Sequence, residues 1–314
     1  MPRFDVTIAG ELNLDLIFYG LPPELPPERE ILADDMMLTL GSSSAIVAHN
    51  LAALGSRVGF ISRIGDDPLG EIALQRLRAG GVDVDKVRRV EGAKTGLTTI
   101  LQRDGWRNMV TYAGTIFDLK FEDLDLEYLA DARHFHLSSF YLQRGLMNQI
   151  PGLFRNLKAA GLTISLDTND DPDDLWQGGL TEALHYVDVF LPNAREARRI
   201  AGTEDLQFAL NKLASAVPLV VIKNGTEGAI ARDANEAYFA AALTVDSVDA
   251  VGAGDSFDAG FLSAYLRGAD IPTCLATGNA AGAFSTTRAG GTEAFRDAEY
   301  RDQFIRARGF GPQA

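Results

Sequence analysis

The run Asp249-Ala250-Val251-Gly252-Ala253-Gly254-Asp255-Ser256-Phe257-Asp258 has two glycines and a carboxylate directly before an apolar segment. The apolar residues recur at helical spacing up to Gly268, which predicts a helix whose first turn contains Gly252 to Asp255. N–H groups in a first turn lack intrahelical acceptors, and glycine lets an anion approach them closely. The stretch therefore predicts a phosphate-binding cradle formed by the backbone of Gly252, Ala253 and Gly254.

Asp255 lies inside this predicted cradle, where its charge would repel the anion that the amides attract. A carboxylate is useful there when it accepts a proton from the group that attacks phosphorus, so Asp255 is a candidate general base. The same residues are also compatible with an ordinary helix start. A dinucleotide fingerprint is excluded because its third glycine is missing, and a Walker loop is excluded because no lysine follows a glycine.

The composition is that of an ordinary globular protein, with 46% hydrophobic and 23% charged residues. A formal net charge of −14 argues against nucleic acid or an anionic membrane as a partner. No apolar run approaches membrane-spanning length, and the chain passes from Met-Pro-Arg-Phe-Asp directly into a predicted strand. The single cysteine, Cys274, excludes an internal disulfide and fits a reducing compartment, so we expect a cytoplasmic protein.

Strand-like and helix-like segments alternate along most of the chain. This alternation predicts one α/β domain over residues 1–314, with a doubly wound, mostly parallel sheet flanked by helices. Two segments break the pattern: about 14–36, which is rich in proline, and 94–115, which predicts an antiparallel hairpin around Arg103-Asp104-Gly105-Trp106. We expect these segments to form a small β lid that excludes water from the site below it.

Polar residues follow the first predicted strand and precede the first predicted helix. Asn13 and Asp15 alternate along the chain, so they lie on one side, and they suit either the vicinal hydroxyls of a sugar or a solvated strand face. Gly41, Ser42 and Ser43 are compatible with a helix cap or with the wall of a polyol pocket. None of these residues is positively charged, which favours a sugar substrate that carries no phosphate group.

Later segments offer groups for a nucleotide and its metal. Asn193 and Glu196 either form a capping box or order waters around Mg²⁺. Lys223 precedes a loop punctuated by Gly225 and Gly228, which suits a nucleotide phosphate or a plain turn.

We interpret the acidic run 167–174 as a solvated loop. We expect the histidines at 134 and 136 to pack in the core rather than bind a metal.

The order of these motifs resembles that of the ribokinase-like (PfkB) carbohydrate kinase family along nearly the whole chain. The motifs that carry the resemblance are Asn13 with Asp15, Gly41, Gly65-Asp66-Asp67, Asn193 with Glu196, Gly225 with Gly228, Gly252-Ala253-Gly254-Asp255, and Asn279-Ala280. The resemblance implies an α/β domain with a β lid. It also implies transfer of the γ-phosphoryl group of ATP to a primary hydroxyl of a non-phosphorylated sugar or sugar acid.

The resemblance also implies roles for single residues. Asp255 would be the base, the amides of Gly252 to Gly254 would stabilise the transferring phosphoryl group, and Asn193 with Glu196 would serve Mg²⁺. The remaining implied nucleotide and ion contacts are Lys223, Gly225 and Gly228 along the triphosphate, Asn279 near the adenine, and Asp249 at a possible K⁺ site.

Three positions depart from the family pattern. Ser42 follows Gly41 where a second glycine is usual, Ile46 replaces an expected asparagine, and Ala250 replaces a common threonine. The acceptor therefore stays open, with a nucleoside kinase and a non-catalytic sugar or nucleotide sensor as alternatives. The free edge of the predicted lid sheet favours a homodimer formed through the lid.

Overall fold

The computed structural model of the protein describes residues 2–103 and 106–308. The strands are β1 (Phe4–Ala9), β2 (Leu14–Tyr19), β3 (Asp35–Leu40), β4 (Val58–Gly65), β5 (Asp83–Val90), β6 (Leu97–Arg103), β7 (Trp106–Tyr112), β8 (Ala132–Leu137), β9 (Thr163–Leu166), β10 (Val189–Phe190), β11 (Leu219–Lys223), β12 (Ala229–Arg232) and β13 (Ala237–Ala240). The α-helices are α1 (Ser43–Ala53), α2 (Pro68–Ala79), α3 (Leu126–Ala130), α4 (Ile150–Ala159), α5 (Leu180–Leu184), α6 (Ala194–Ala201), α7 (Leu206–Ala214), α8 (Ala253–Leu266), α9 (Ile271–Ser285), α10 (Glu293–Arg296) and α11 (Ala298–Arg308).

A large sheet with the strand order β13-β12-β11-β10-β9-β8-β1-β4-β5 forms the centre of the protein. Its strands pair in parallel from β11 to β5, whereas β12 and β13 pair antiparallel at one edge. The chain therefore runs outward from the centre in both directions, as the strand and helix alternation predicts, and the doubly wound, mostly parallel sheet is confirmed. The order reverses between β1 and β8, and ligands of such sheets bind beside this point at the carboxyl ends of the strands.

A smaller sheet with the order β3-β2-β6-β7 fits the predicted lid. Strands β2 and β3 pair antiparallel, as do β6 and β7, while β2 and β6 pair in parallel. Ile17 and Ile100 face the main body and form an apolar cluster with Val251, which lies directly before the predicted cradle. The lid therefore rests on the segment that leads into the cradle. The predicted turn residues Asp104 and Gly105 lie outside the described residues.

Apolar side chains alternate along the central strands and build a core on each face of the large sheet. Phe135 and Ile164 point into one core, and Val6 and Val221 point into the other. Within the described residues, no helix is both long enough and apolar enough to cross a membrane.

His134 and His136 are buried in the core, as expected, and hydroxyl groups accept or donate at all four of their ring nitrogens. His134 bonds to Thr163 and Ser165, at 2.7 Å each, and His136 bonds to Ser165 at 2.7 Å and to Ser138 at 2.8 Å. Burial lowers the pKa of both histidines to about 3, so they are neutral. These hydrogen bonds between side chains connect β8 to β9.

Candidate active site

The predicted cradle lies at the start of α8, the helix expected from the sequence. Gly252 precedes the helix with a φ of 72°, a left-handed conformation that favours glycine. A Cβ at this position would lie 2.5 Å from the Cα of Gly291, so a side chain does not fit. Among the described residues, the amides of Gly254 and Asp255 donate to no backbone carbonyl. The amide of Ala253, also predicted to bind the anion, donates instead to the carbonyl of Ala250 at 3.3 Å. The N–H groups of Gly254 and Asp255 are thus available to an anion.

Asp255 is 7% exposed and lies in the first turn of α8. Burial raises its pKa to about 6, the nearby Asp167 contributes in the same direction, and hydrogen bonds from Ser43 and Asn169 lower it. The carboxylate is therefore ionised at neutral pH yet more basic than an ordinary aspartate. A general base needs this combination.

The predicted acceptor residues lie together beside Asp255. Gly41 donates its N–H to the carbonyl of Asn13 at 3.0 Å, and a Cβ on Gly41 would overlap Oδ1 of Asp15. Burial raises the pKa of Asp15 to about 7, and the charge of Asp255 adds to this effect. The structure thus brings Asn13, Asp15, Gly41 and Ser43 to one side of the candidate base.

Ser42 and Ile46, two departures from the family pattern, have visible structural roles. Ser42 has a φ of 70°, the left-handed region in which a second glycine is unstrained. Its hydroxyl donates to the carbonyl of Glu11 at 2.5 Å and accepts from the amide of Ala45, so it caps α1. Ile46 fills the space under the cradle, where its Cδ1 would lie 3.2 Å from a Cβ on Gly252.

Lys223 lies beneath the cradle in a buried cluster of charges. Its ammonium group donates to Oδ2 of Asp167 at 2.6 Å and to both carboxylate oxygens of Asp258 at 3.0 and 3.1 Å. A Cβ on Gly254 would lie 3.7 Å from Nζ. Burial raises the pKa of Asp167, but Lys223 outweighs burial and holds the pKa below its usual value. The ammonium is therefore engaged by two aspartates, and it lies close to the N-terminal end of α8, the end that would face a phosphate.

The interpretation of residues 167–174 as a solvated loop is wrong for two of its aspartates, which are buried. Asp167 is the first residue after β9 and is held by Lys223. Asp171 accepts backbone N–H groups of Asp173, Leu175 and Trp176, a local turn that withdraws the carboxylate from solvent. Acidic composition alone did not reveal these partners.

Asn193 and Glu196 form the capping box that was one of their two interpretations. Asn193 accepts from the amide of Glu196 at 3.0 Å, and Oε2 of Glu196 accepts from the amide of Asn193 at 2.8 Å. Burial raises the pKa of Glu196 to about 8, and Asp167 adds to this effect. Asn193 also pairs with Lys223 across adjacent strand ends. The pair is thus placed beside the cluster of charges, and its service to Mg²⁺ stays a prediction.

The residues predicted to contact the nucleotide lie along one rim of the large sheet. Gly225 has a φ of 57°, and a Cβ there would meet open space, whereas a Cβ on Gly228 would overlap the carbonyl oxygen of Ala240. Asn279 donates to the carbonyls of Ala240 and Ala241 at 2.9 and 3.0 Å. Gly228 and Asn279 therefore shape the segment after β13, and their contact with a nucleotide stays a prediction.

Asp249, the candidate for a K⁺ site, already accepts hydrogen bonds at both oxygens. Oδ1 accepts from the amide of Val251 at 2.9 Å. Oδ2 accepts from the hydroxyl of Tyr19 at 2.8 Å and from the amide of Gly290 at 3.2 Å. These donors use most of the about four acceptor positions of the carboxylate, so the geometry does not favour the K⁺ site.

Sequence reasoning missed several residues that build this site. Asp258 stands within the opening stretch but was given no role, and Asp167 carried the signal of a polar residue directly after a parallel strand. Glu11 is buried and accepts from the side chains of Ser44, Ser139 and Gln143. Alternation puts Glu11 on the same side as Asn13 and Asp15, but its partners lie far apart in the chain, so no spacing pattern reveals its burial.

The pattern of the pfkB family of carbohydrate kinases matches residues 3–298. The chain is 32% identical over 291 residues to an ATP-dependent ribose-1-phosphate kinase of Halopiger xanaduensis, covering 92% of this chain and 94% of that protein. It is 30% identical to a 2-dehydro-3-deoxygluconokinase of Bacillus subtilis, covering 85% and 87%. A nucleoside kinase of Methanothermobacter thermautotrophicus is 29% identical, with 86% and 85% covered.

Solved structures share the fold. An Arabidopsis thaliana ribokinase complexed with ribose and ATP superposes with a TM-score of 0.83 at 24% identity, covering 97% of this chain and 99% of that chain. An Escherichia coli protein in complex with ATP and Mg²⁺ superposes with a TM-score of 0.86 at 24% identity and the same coverage.

Proposed function

Because the chain belongs to the pfkB family of carbohydrate kinases, we propose that it transfers the γ-phosphoryl group of ATP to a primary hydroxyl of a non-phosphorylated sugar or sugar acid. It is a phosphotransferase with an alcohol group as acceptor. One observation carries the proposal: a buried carboxylate with a pKa of about 6 lies in the first turn of α8, between free amides and the residues around Asn13.

The proposed chemistry uses Asp255 to take the proton of the attacking hydroxyl. The amides of Gly254 and Asp255 would stabilise the charge on the transferring phosphoryl group. Lys223 would neutralise Asp167 and Asp258 and so hold the end of α8 in place. Asn193 and Glu196 would hold Mg²⁺ through water, and the bound ion would offset the charge of the nucleotide phosphates.

The preference for a non-phosphorylated acceptor rests on charge. Asp255 lies ionised on the acceptor side, and Asp15, with a pKa of about 7, is ionised in about half of the molecules at neutral pH. Both residues disfavour a phosphate group already attached to the sugar. Four arginines would reverse this preference if they faced the acceptor, and none is free to do so in the described residues. Arg63 pairs with Asp123 at 2.9 Å, Arg144 pairs with Asp173 at 3.0 Å, Arg103 donates to the carbonyl of Pro23 at 3.0 Å, and Arg107 is exposed. The name of the relative from Halopiger makes ribose 1-phosphate the acceptor that tests this argument most directly.

A panel of acceptors scored by ADP release tests the proposal. Sugars and sugar acids should support turnover, whereas ribose 1-phosphate, adenosine and cytidine should not. Turnover with a nucleoside instead would identify a nucleoside kinase, and ATP binding without ADP release on any acceptor would identify a sensor. Asp255→Asn should lower kcat by about 10²- to 10⁴-fold, because general base catalysis typically contributes that much. Asp270→Asn, at the start of α9, is the matched control.

We also propose a homodimer formed through the lid. Met36, Trp106 and Val110 are exposed and share the face of the lid sheet that is opposite to Ile17 and Ile100. Apolar area of this kind is typical of an interface, and a second copy of the chain offers a matching surface. Val110→Lys should convert a dimer to a monomer in light scattering, whereas Phe239→Lys, at the exposed edge strand β13, should not. A monomeric wild-type protein would contradict the dimer.

The proposed location is the cytoplasm. ATP is available there, and its reducing environment suits the buried, unpaired Cys274. Cell fractionation that finds the protein in the membrane or outside the cell would contradict this location.

A further inference from the structure

A tyrosine of the lid reaches the segment that precedes the cradle. Tyr19 ends strand β2, and its hydroxyl donates to Oδ2 of Asp249 at 2.8 Å across 230 residues of sequence. Burial raises the pKa of Tyr19, and the charge of Asp249 adds to this effect, so the hydroxyl keeps its proton. The hydroxyl of Tyr19 is therefore a permanent hydrogen-bond donor to Asp249, which is only 2% exposed.

Donors within the protein already use most of the acceptor positions of the Asp249 carboxylate. The carboxylate accepts from the amides of Val251 and Gly290 in addition to the tyrosine hydroxyl. The nearby carbonyl of Thr286 accepts from the amides of Val248 and Asp249 at 2.7 and 3.2 Å. A desolvated cation needs several oxygen ligands that do not already accept such hydrogen bonds. Hydrogen bonds therefore stabilise the carboxylate of Asp249 in place of a cation.

These bonds fix the backbone on both sides of the cradle. The backbone N–H of Val251, one residue before Gly252, donates to Asp249, and Val251 packs against lid residues Ile17 and Ile100. On the other side, Gly290 precedes Gly291, whose Cα would be 2.5 Å from a Cβ on Gly252. A shift at Asp249 would therefore move the amides that are offered to phosphate.

We propose that the hydroxyl of Tyr19 takes the place of a monovalent cation at Asp249, so that contact with the lid, rather than an ion, positions the cradle. Tyr19 is then a positioning residue that acts through Asp249 on the amides of α8. The inference rests on the proposed kinase function for its effect on turnover. It makes turnover independent of K⁺ and couples the position of the lid to the geometry of phosphoryl transfer.

Turnover of the wild-type protein and of Tyr19→Phe, in KCl, NaCl and choline chloride at equal ionic strength, tests the inference. The wild type should show equal kcat in all three salts. Tyr19→Phe should lose about tenfold or more in kcat in choline chloride, because hydrogen bonds to charged groups contribute that much, and should recover in KCl. Tyr238→Phe is the matched control, since it also removes a bond between a tyrosine and an aspartate, Asp233, at 3.2 Å.

A second measurement does not depend on turnover. The Tm of Tyr19→Phe should be higher in KCl than in choline chloride, whereas the Tm of the wild type and of Tyr238→Phe should be the same in both salts. K⁺ activation or K⁺ stabilisation of the wild type would overturn the inference. Absence of a K⁺ response in Tyr19→Phe would overturn it as well. If no acceptor supports ADP release, the proposed function fails and the Tm comparison alone decides the inference.

Discussion

Replacing Asp255 by asparagine should stabilise the protein while it removes turnover. Burial raises the pKa of Asp255 from an ordinary value of 3.8 to about 6, so the folded protein binds this proton more tightly than the unfolded chain does. Ionisation of Asp255 therefore reduces stability as the pH rises from about 4 to about 6. A difference of about two pKa units corresponds to about 3 kcal/mol, which asparagine should recover above that window.

Urea unfolding followed by tryptophan fluorescence measures this gain. Asp255→Asn should exceed the wild type by about 3 kcal/mol at about pH 8 and by about half of that at about pH 5. Asp270→Asn is the control of opposite sign, because hydrogen bonds from Thr273 lower the pKa of Asp270 and its charge stabilises the fold above that pKa. If Asp255→Asn is no more stable than the wild type at the higher pH, the carboxylate is not desolvated and the reasoning is wrong.

Three further outcomes follow from the site. Lys223→Met should destabilise the fold by about 3–5 kcal/mol because it leaves Asp167 and Asp258 buried and unpaired. Lys158→Met breaks the partly exposed pair of Lys158 and Asp188 and should cost less than about 1 kcal/mol. Equal losses in urea unfolding would contradict the buried cluster. Gly252→Ala should lower the free energy of unfolding by more than about 1–2 kcal/mol, the cost of a left-handed alanine, because its Cβ also meets backbone. Gly268→Ala, at a φ of 79° in open space, should lose only the cost of the left-handed conformation. Similar losses in the two variants would refute the clash. The ratio kcat/KM should fall as the pH drops through about 6, where Asp255 gains its proton, and a flat profile down to about pH 5 would exclude Asp255 as the base.

Local sequence patterns predicted the parts of this protein that depend on neighbouring residues. The helix after Gly252 and the doubly wound, mostly parallel sheet follow from apolar spacing and from alternation, and both were found. The capping box of Asn193 and Glu196 is likewise a local pattern, within four consecutive residues. The structure could therefore be anticipated wherever one turn or one strand decides the outcome.

Contacts between distant segments could not be predicted in this way. Lys223 meets Asp167 and Asp258, which lie 56 and 35 residues away, and Tyr19 meets Asp249 across 230 residues. The family resemblance implied that the lysine lies along the triphosphate, and nothing local indicates that two carboxylates hold its ammonium. The polarity of the acidic run after β9 was visible, but its burial is a property of the assembled sheet.

The proposed acceptor residues Asn13 and Asp15 lie where core strand β1 passes into lid strand β2, whereas the residues proposed for phosphoryl transfer lie more than 200 positions later, at the start of α8. With these roles, recognition and chemistry are encoded in separate pieces of the gene. A change in the first piece would then alter which alcohol is accepted and leave the start of α8 intact. Such a division is compatible with relatives named as kinases of a sugar phosphate, a sugar acid and nucleosides. It also marks the lid as the segment to exchange when a new acceptor is wanted.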